Sequence, residues 1–286
     1  MHRMLLLQHT VLTLFLANCA GHGSARNSRD QKTEPDLSNL FGDTVGTFTL
    51  YDKKNDDYLR YNSERAATRF SPCSTFKIAN TLIALETGIL ENADSVITWD
   101  KEKYPKETWW DEILAPRGYF WDRDHSLKTA FKQSVVWYYR EVAKRIGQQR
   151  MDTFLEQFDY GNQDTSDGID LFWLTGSLKI SADEQVEFLR KFYKGALGLT
   201  EKTTRIAKQV FLQETGDGYK LFGKTGTSNG EGGAFAPIGW YVGYVERGDN
   251  VGFFAFNMTG KIEEILKRRD TLTRTILQDL GLLPRS

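Results

Sequence analysis

Hydrophobic and polar residues change their spacing along the chain, and these changes predict strands towards both ends with helices between them. Residues 46–51 and 58–61 are rich in β-branched and aromatic side chains and flank a polar turn, which predicts a hairpin. Three apolar runs, at 219–226, 238–245 and 251–258, predict successive strands in the last third of the chain. We therefore expect an antiparallel sheet to which both parts of the chain contribute.

Helical spacing dominates the middle of the chain. After Pro72, apolar residues recur every three or four positions as far as Gly88, which predicts a helix that ends at a glycine. Further helices are predicted over 127–146, over 149–158, from a capping box at Ser181 to Tyr193, from Thr200 onward, and over 262–280. Together these elements predict an α+β fold, in which an antiparallel β-sheet is flanked by helices and adjoined by an all-helical lobe.

The balance of charges argues against two classes of binding partner. The 286 residues carry a formal net charge of −1, with 26% of them charged. A chain without basic excess is not suited to nucleic acid or to an anionic membrane, so neither is expected as a partner.

The N-terminus has the pattern of an export signal. Residues 1–21 contain an arginine, a short apolar core and then small residues, so we expect a cleaved signal peptide and a periplasmic or secreted protein. The alternative is lipid attachment at Cys19, although Asn18 fits a lipoprotein signal poorly. Residues 22–40 are polar and predict a poorly ordered arm before a folded domain over 41–286, and no membrane span is expected in the mature chain.

The stretch Ser74-Thr75-Phe76-Lys77 places a serine at the start of a predicted helix and a lysine one turn later on the same face. A serine hydroxyl becomes nucleophilic when a base takes its proton, and a lysine among apolar residues is such a base because burial disfavours the ammonium form. This S-x-x-K spacing occurs in a class of acyl-transfer enzymes. By itself it also arises by chance about once in a chain of this length, and for the motif alone a capping serine beside a solvent-reaching lysine is the favoured interpretation.

Cys73 adjoins Ser74 but is not expected to be the nucleophile. A cysteine nucleophile needs a histidine base, and the only histidine in residues 41–286 is His125, which we expect to be a surface or capping residue. Cys73 is therefore interpreted as a small apolar residue. One cysteine and one histidine are also too few for the usual zinc sites, so no metal is expected.

Three more short motifs follow in the chain, namely Ser134-Val135-Val136, Tyr160-Gly161-Asn162 and Lys224-Thr225-Gly226. Each is ordinary alone, but in this order, with Ser74–Lys77 before them and Phe172-Trp173-Leu174 among them, they are specific. With these motifs the chain resembles the class D, or oxacillinase-type, serine β-lactamases from Gly46 to its C-terminus. The resemblance implies that residues 41–286 are a catalytic domain with the fold of penicillin-binding transpeptidases.

The resemblance also implies the roles of individual residues. The implied catalytic residues are Ser74, Lys77, Ser134 and Lys224. Ser74 would attack the β-lactam carbonyl and form an acyl-enzyme, with the backbone N–H groups of Ser74 and Thr227 as oxyanion hole and Ser134 passing a proton to the departing nitrogen. The implied substrate-binding residues are Val136, Thr225, Gly226, Thr227 and Arg269, with Arg268 as the alternative to Arg269. Hydrolysis of penicillin-type antibiotics in this way would give resistance.

A carboxylated lysine is the implied general base. Class A β-lactamases use a glutamate for deacylation, whereas this chain has no glutamate between Glu156 and Glu184. The resemblance implies that Lys77 is carboxylated to N6-carboxylysine and supported by Phe76, Trp173 and Leu174. CO2 or bicarbonate is then needed, and no other cofactor is expected.

Two rivals share the expected fold, a penicillin-binding peptidase and a β-lactam sensor, both of which are acylated without turnover. A sensor is expected to have a membrane-spanning module, and the chain offers only its leader, so we favour a free enzyme. An α/β-hydrolase is suggested by G-x-S-x-G at 226–230, but no helix start and no later histidine follow it. The choice among β-lactam substrates and the oligomeric state stay open.

Overall fold

The computed structural model describes residues 36–228 and 236–285, and the predicted signal peptide, residues 1–21, lies outside them. The described helices are α1 (Ser38–Phe41), α2 (Ser63–Ala67), α3 (Lys77–Glu86), α4 (Leu127–Lys132), α5 (Val136–Ile146), α6 (Gln148–Phe158), α7 (Phe172–Thr175), α8 (Ala182–Tyr193), α9 (Glu201–Phe211) and α10 (Ile262–Asp279). The described strands are β1 (Gly46–Asp52), β2 (Asp57–Tyr61), β3 (Val96–Ile97), β4 (His125–Ser126), β5 (Leu212–Gly216), β6 (Tyr219–Ser228), β7 (Ile238–Arg247) and β8 (Asn250–Thr259).

Six of these strands form one antiparallel sheet in the order β2-β1-β8-β7-β6-β5. Strand β1 pairs with β8, so the early hairpin and the late strands meet in the middle of the sheet, and the predicted α+β class is confirmed. Strand β5 is not among the predicted strands, because Leu212 is the only large apolar residue in Leu212–Gly216. The short strands β3 and β4 pair with each other away from this sheet.

Alternate residues of the central strands enter two cores on opposite faces of the sheet, as the two-residue period of a strand requires. On β7, Trp240, Val242 and Tyr244 belong to the core shared with α3, α5, α8 and α9. Tyr241 and Val245 belong to the core shared with α1 and α10. Because both faces are covered, the late strands are apolar at nearly every position.

The helical lobe is organised around α3, which is buried on almost all sides from Lys77 to Leu85. Helices α5 and α9 pack against α3, and α6 packs against α5. The 3-10 turn Cys73–Phe76, which leads into α3, packs against β6 and so joins the lobe to the sheet. No helix in the described part of the chain is long and apolar enough to cross a membrane.

The predicted arm ends earlier than expected. Residues 36–40 belong to the fold, since Leu37 is buried and α1 begins at Ser38. The ring of Phe41, at the end of α1, is fully buried and stacks on Tyr61 with centroids 4.0 Å apart. Apolar residues therefore attach the chain to the core before residue 41, and the rest of the predicted arm, 22–35, lies outside the described residues.

The prediction that His125 is a surface or capping residue is wrong. His125 is buried, with Nε2 2.8 Å from the Phe120 carbonyl oxygen and Nδ1 3.1 Å from the Thr129 hydroxyl. Burial lowers the pKa of this imidazole below its usual value. His125 is thus a neutral structural residue that links β4 to the segment before it.

Candidate active site

Ser74 lies in a tight 3-10 turn, Cys73–Phe76, that leads directly into α3. The turn places Lys77 Nζ 2.8 Å from Ser74 Oγ, within hydrogen-bond distance. Ser74 is partly exposed, whereas the Lys77 side chain is fully buried. A proton can therefore pass between a reachable hydroxyl and a buried amine.

Burial changes the chemistry of the two groups beside Ser74 in opposite ways. Loss of water around Lys77 lowers the pKa of its amine to about 7, so roughly half of it is uncharged at neutral pH. Burial raises the pKa of the Cys73 thiol to about 11, which keeps it protonated. The lysine is suited to accept a proton and the cysteine is not suited to attack, in line with the interpretation of Cys73 as a small apolar residue.

Trp173 forms an apolar wall against the residue that precedes Lys77. Its ring stacks on Phe76 with centroids 5.4 Å apart, and its carbonyl oxygen accepts a 3.0 Å hydrogen bond from the Ser71 hydroxyl. The Trp173 indole Nε1 is buried and has no hydrogen-bond partner among the described residues. Buried indole N–H groups usually have a partner, so this orphaned donor fits an anionic group attached to Lys77. Leu174, also predicted to support the lysine, is half-buried and packs on the same core.

Ser134 lies at a break between two helices, and the single helix predicted over 127–146 is wrong. Helix α4 ends at Lys132, Ser134 adopts a left-handed conformation with φ 59°, and α5 begins at Val136. A non-glycine residue in this conformation interrupts the helical hydrogen-bond ladder and is unusual enough to mark a functional turn. The spacing of apolar residues does not reveal the break, because the same spacing resumes after Ser134.

The turn at Ser134 is held by residues that sequence reasoning missed. The carbonyl oxygen of Gln133 accepts a 2.9 Å hydrogen bond from Trp121 Nε1, and its side-chain Oε1 accepts one from the backbone N–H of Phe120, also 2.9 Å. Trp121 is itself packed edge-to-face against Trp109 and Trp110. The aromatic-rich segment before His125 thus supports the turn, although its irregular pattern gave no sign of this role.

Strand β6 passes close to the Ser74 turn. A Cβ atom on Gly226 would lie 2.9 Å from the Pro72 carbonyl oxygen and 3.1 Å from the Thr75 backbone nitrogen. Only glycine allows this approach, which brings half-buried Thr225 and Thr227 to the edge of the site. The K-T-G motif therefore combines a lysine with the close contact of two backbones.

Lys224 points into the lobe beside this contact. Its Nζ donates a 2.9 Å hydrogen bond to the Thr225 carbonyl oxygen and lies 5.7 Å from the Phe131 ring centroid. Burial holds the pKa of Lys224 well below its usual value, and the positive charges of Lys77 and Arg269 lower this pKa further. Lys224 and Arg269 thus lie on the strand side of the site, and the charge of the Arg269 guanidinium favours the entry of an anion.

The two candidate arginines on α10 point to different places. Arg269 Nη1 lies 2.6 Å from Thr227 Oγ1 and 3.3 Å from the Gly226 carbonyl oxygen, and this side chain is buried. Arg268 instead reaches the Phe41 carbonyl oxygen, with Nη2 3.5 Å away. The structure therefore brings Arg269, and not Arg268, to the K-T-G strand.

The Tyr160-Gly161-Asn162 motif lies at the base of the segment that carries Trp173, which is residues 159–181 between α6 and α8. Asn162 Oδ1 accepts a 2.7 Å hydrogen bond from the Lys179 backbone N–H, and Asn162 Nδ2 donates to the Ser177 carbonyl oxygen at 2.8 Å. Gly161 has φ 58°, and a Cβ there would lie 2.1 Å from the Lys179 carbonyl oxygen. The motif thus supports this segment, and the Tyr160 ring packs edge-to-face on Phe76 with centroids 5.7 Å apart.

Comparisons with known proteins agree with this geometry. Residues 46–278 match the family model described as the penicillin binding protein transpeptidase domain. Beta-lactamase OXA-48 of Klebsiella pneumoniae is 40% identical to the chain over 240 residues, covering 84% of each protein. Regulatory protein BlaR1 of Bacillus licheniformis is 35% identical over 84% of this chain, which corresponds to 37% of that protein.

Solved structures give the same picture. The crystal structure of the beta lactamase class D YbXI from Nostoc is 34% identical in sequence and superposes with a TM-score of 0.78, covering 87% of this chain and 99% of that one.

Proposed function

Because the chain belongs to the class D β-lactamases, within the transpeptidase fold of penicillin-binding proteins, we propose that it hydrolyses the β-lactam ring through an acyl-enzyme on Ser74. The observation that carries the proposal is the 2.8 Å separation of Ser74 Oγ and Lys77 Nζ, with Lys77 fully buried. Hydrolysis of penicillin-type antibiotics by this route gives resistance to them.

Acylation joins Ser74 Oγ to the lactam carbonyl carbon and breaks the bond from that carbon to the ring nitrogen. The base at position 77 takes the hydroxyl proton, and Ser134 supplies a proton to the departing nitrogen. The backbone N–H groups of Ser74 and Thr227 stabilise the oxyanion that develops on the carbonyl. The approach of β6 to the Ser74 turn, which Gly226 permits, supports this pairing of donors.

The substrate carboxylate binds on the side of the site that β6 forms. Thr225, Thr227 and Arg269 present hydroxyl and guanidinium donors at the end of β6, and Lys224 adds positive charge behind them. A guanidinium forms strong, directional hydrogen bonds to a carboxylate, so Arg269 anchors the substrate in preference to Arg268. Val136 begins α5 two residues after Ser134 and is half-buried, and we assign it to the helical side of the substrate site.

Deacylation requires a base that activates water, and a carboxylated Lys77 supplies that base. The uncharged fraction of the amine is the form that reacts with CO2, and the lowered pKa of Lys77 provides it at neutral pH. The orphaned Trp173 indole N–H is the donor that would hold the resulting anion in an otherwise apolar pocket. No glutamate occurs between Glu156 and Glu184 to serve instead.

The second candidate function is that of a β-lactam sensor, which the match to Regulatory protein BlaR1 favours. A sensor or a penicillin-binding peptidase would be acylated once and would release product slowly. Nitrocefin hydrolysis by the purified chain separates the two functions. Many turnovers by the wild type and none by Ser74→Ala support hydrolysis, whereas one stoichiometric burst that then stops supports the sensor.

We also propose that the protein is exported, on the pattern of residues 1–21. Intact-mass measurement on periplasmic protein is expected to show a chain that begins after this segment. A mass that includes a lipid on Cys19 would favour anchoring, and a mass that retains Met1 would overturn cleavage.

A further inference from the structure

A cluster of ion pairs outside the catalytic residues attaches the segment that carries Trp173 to α5. Asp170 lies three positions before Trp173, and its Oδ2 accepts from Arg140 Nη2 at 2.7 Å, from Arg140 Nε at 3.0 Å and from Lys144 Nζ at 3.0 Å. Arg140 and Lys144 are four residues apart on α5, so they lie on one face of that helix. One carboxylate oxygen is therefore held by two cations on a rigid element.

Tyr104 extends the cluster to the aromatic-rich segment before His125. Its hydroxyl accepts a 3.2 Å hydrogen bond from Lys144 Nζ and donates a 2.5 Å hydrogen bond to Glu141. The Arg140 guanidinium lies 5.3 Å from the Tyr104 ring centroid. Asp170 is largely buried in this arrangement, with a side-chain exposure of 16%, which shields its ion pairs from solvent.

Other contacts also hold the segment near Trp173, among them the Phe172 ring, which packs edge-to-face on Phe76 with centroids 5.0 Å apart. Asn162 closes its base, Ser71 binds the Trp173 carbonyl, and Phe76 packs on the ring. Burial raises the pKa of Asp170, but hydrogen bonds from Lys144 and Arg140 outweigh burial, so the net pKa lies below its usual value. The carboxylate therefore stays charged, and the ion pairs hold over the whole neutral range.

We propose that Asp170, through Arg140 and Lys144, is a positioning residue for Trp173 and that it determines how firmly Lys77 keeps its carboxyl group. The inference rests on the proposed carboxylation of Lys77. Carboxylation joins Nζ to the carbon of CO2 and releases one proton to solvent, and loss of CO2 takes that proton back. If the segment opens more often, water enters the pocket and the indole N–H binds the carboxyl group on Lys77 less firmly. Loss of CO2 from Lys77 is then favoured.

The test is Asp170→Asn, which keeps the shape of the side chain and removes its charge. Activity of the purified variant is measured against bicarbonate concentration, and carboxylation is measured by carbon-13 NMR with labelled bicarbonate. We expect the bicarbonate concentration for half-maximal carbamate signal to rise roughly threefold to tenfold, with activity restored at saturating bicarbonate. Arg140→Gln should give a similar shift, and the double variant should add little to either single change.

Asp159→Asn is the matched control. Asp159 starts the same segment and pairs with Lys191 at 3.1 Å, but its side chain is exposed and the pair is not part of the Asp170 cluster. This variant should keep the wild-type bicarbonate dependence.

A purely structural role for Asp170 predicts lower activity at every bicarbonate concentration with an unchanged half-maximal value, and that result would overturn the inference. If the wild type itself shows no carbamate signal, the proposed base fails first, and the inference fails with it.

Discussion

The candidate site has two walls, and they are held together in different ways. The strand wall consists of Lys224 to Thr227 on β6, whose ladder pairs every residue from Tyr219 to Ser228 with β7. The helical wall consists of the Ser134 turn and the segment that carries Trp173, and both depend on side-chain hydrogen bonds to distant parts of the chain. The strand wall is therefore fixed by main-chain geometry, and the helical wall by individual side chains that single substitutions can remove.

Ser74 and Lys77 lie between the walls, and the largest effect is expected there. Lys77→Ala removes the proposed base of both acylation and deacylation, so turnover should fall about 10²- to 10⁴-fold, the usual value of general base catalysis. Pre-steady-state nitrocefin kinetics should show a slow acylation that is not followed by release.

The wild-type pH profile checks the same group. Because the amine pKa is lowered to about 7, the reactive uncharged form is lost below that pH. Activity without added bicarbonate should therefore rise as the pH increases through about 7. A profile that is flat between pH 6 and 8 would contradict the assignment of Lys77 as the base.

The strand wall is best tested at its closest contact. Gly226→Ala introduces a methyl group 2.9 Å from the Pro72 carbonyl oxygen, so β6 or the Ser74 turn must shift. We expect a loss of about 1–3 kcal/mol in the free energy of unfolding and a fall of roughly 100-fold in the acylation rate.

Gly260→Ala is the control for this substitution. Its new methyl group would lie 3.3 Å from Glu264 Oε2, at the flexible end of a side chain that can move away. Thermal unfolding and acylation rates of the two variants are compared. Equal rates for Gly226→Ala and the wild type would show that the approach of β6 does not matter for the oxyanion hole.

The helical wall is tested at Trp173 by Trp173→Phe, which retains an aromatic ring against Phe76 and removes the indole N–H. Because that N–H is the proposed donor to carboxylated Lys77, the bicarbonate concentration for half-maximal activity should rise roughly tenfold or more. Trp109→Phe is the control, since the Trp109 indole donates to the Glu107 carboxylate at 2.8 Å and not to the pocket. A shift of the same size in both variants would contradict the proposed role of the Trp173 indole N–H as donor to carboxylated Lys77.

Arg269, the proposed carboxylate anchor beside the strand wall, should affect substrate binding more than turnover. Arg269→Ala removes the proposed donors to the substrate carboxylate, which would act equally in the ground and transition states, so KM for penicillins should rise about tenfold while kcat changes little. Arg268→Ala should leave both constants near the wild-type values, because that side chain points to Phe41. The opposite pattern in steady-state kinetics would show that Arg268 is the anchor.

The difference between the walls also explains what the sequence could predict. The late strands and the K-T-G motif are local patterns, so their bounds and the position of Lys224 follow from periodicity and spacing. The left-handed turn at Ser134 is not local, because it requires Trp121 and Phe120 to reach Gln133 from more than ten residues away. For the same reason nothing in the spacing connects Asp170 with Arg140 across 30 residues. Long-range side-chain pairing leaves no period in a single sequence.

The smallest expected effect concerns the support of Ser134. Gln133→Leu keeps the Gln133 carbonyl that binds Trp121 but removes the Oε1 acceptor of the Phe120 N–H. One lost hydrogen bond costs about 1 kcal/mol, and the turn retains its other bonds, so acylation should slow only about twofold to fivefold. Gln149→Leu, at an exposed position on α6, should change nothing.

Because Ser134 is proposed to protonate the departing nitrogen, the loss should be seen in acylation and not in deacylation, which single-turnover kinetics separate. An equal slowing of both steps would mean that Gln133 stabilises the lobe as a whole and does not position Ser134.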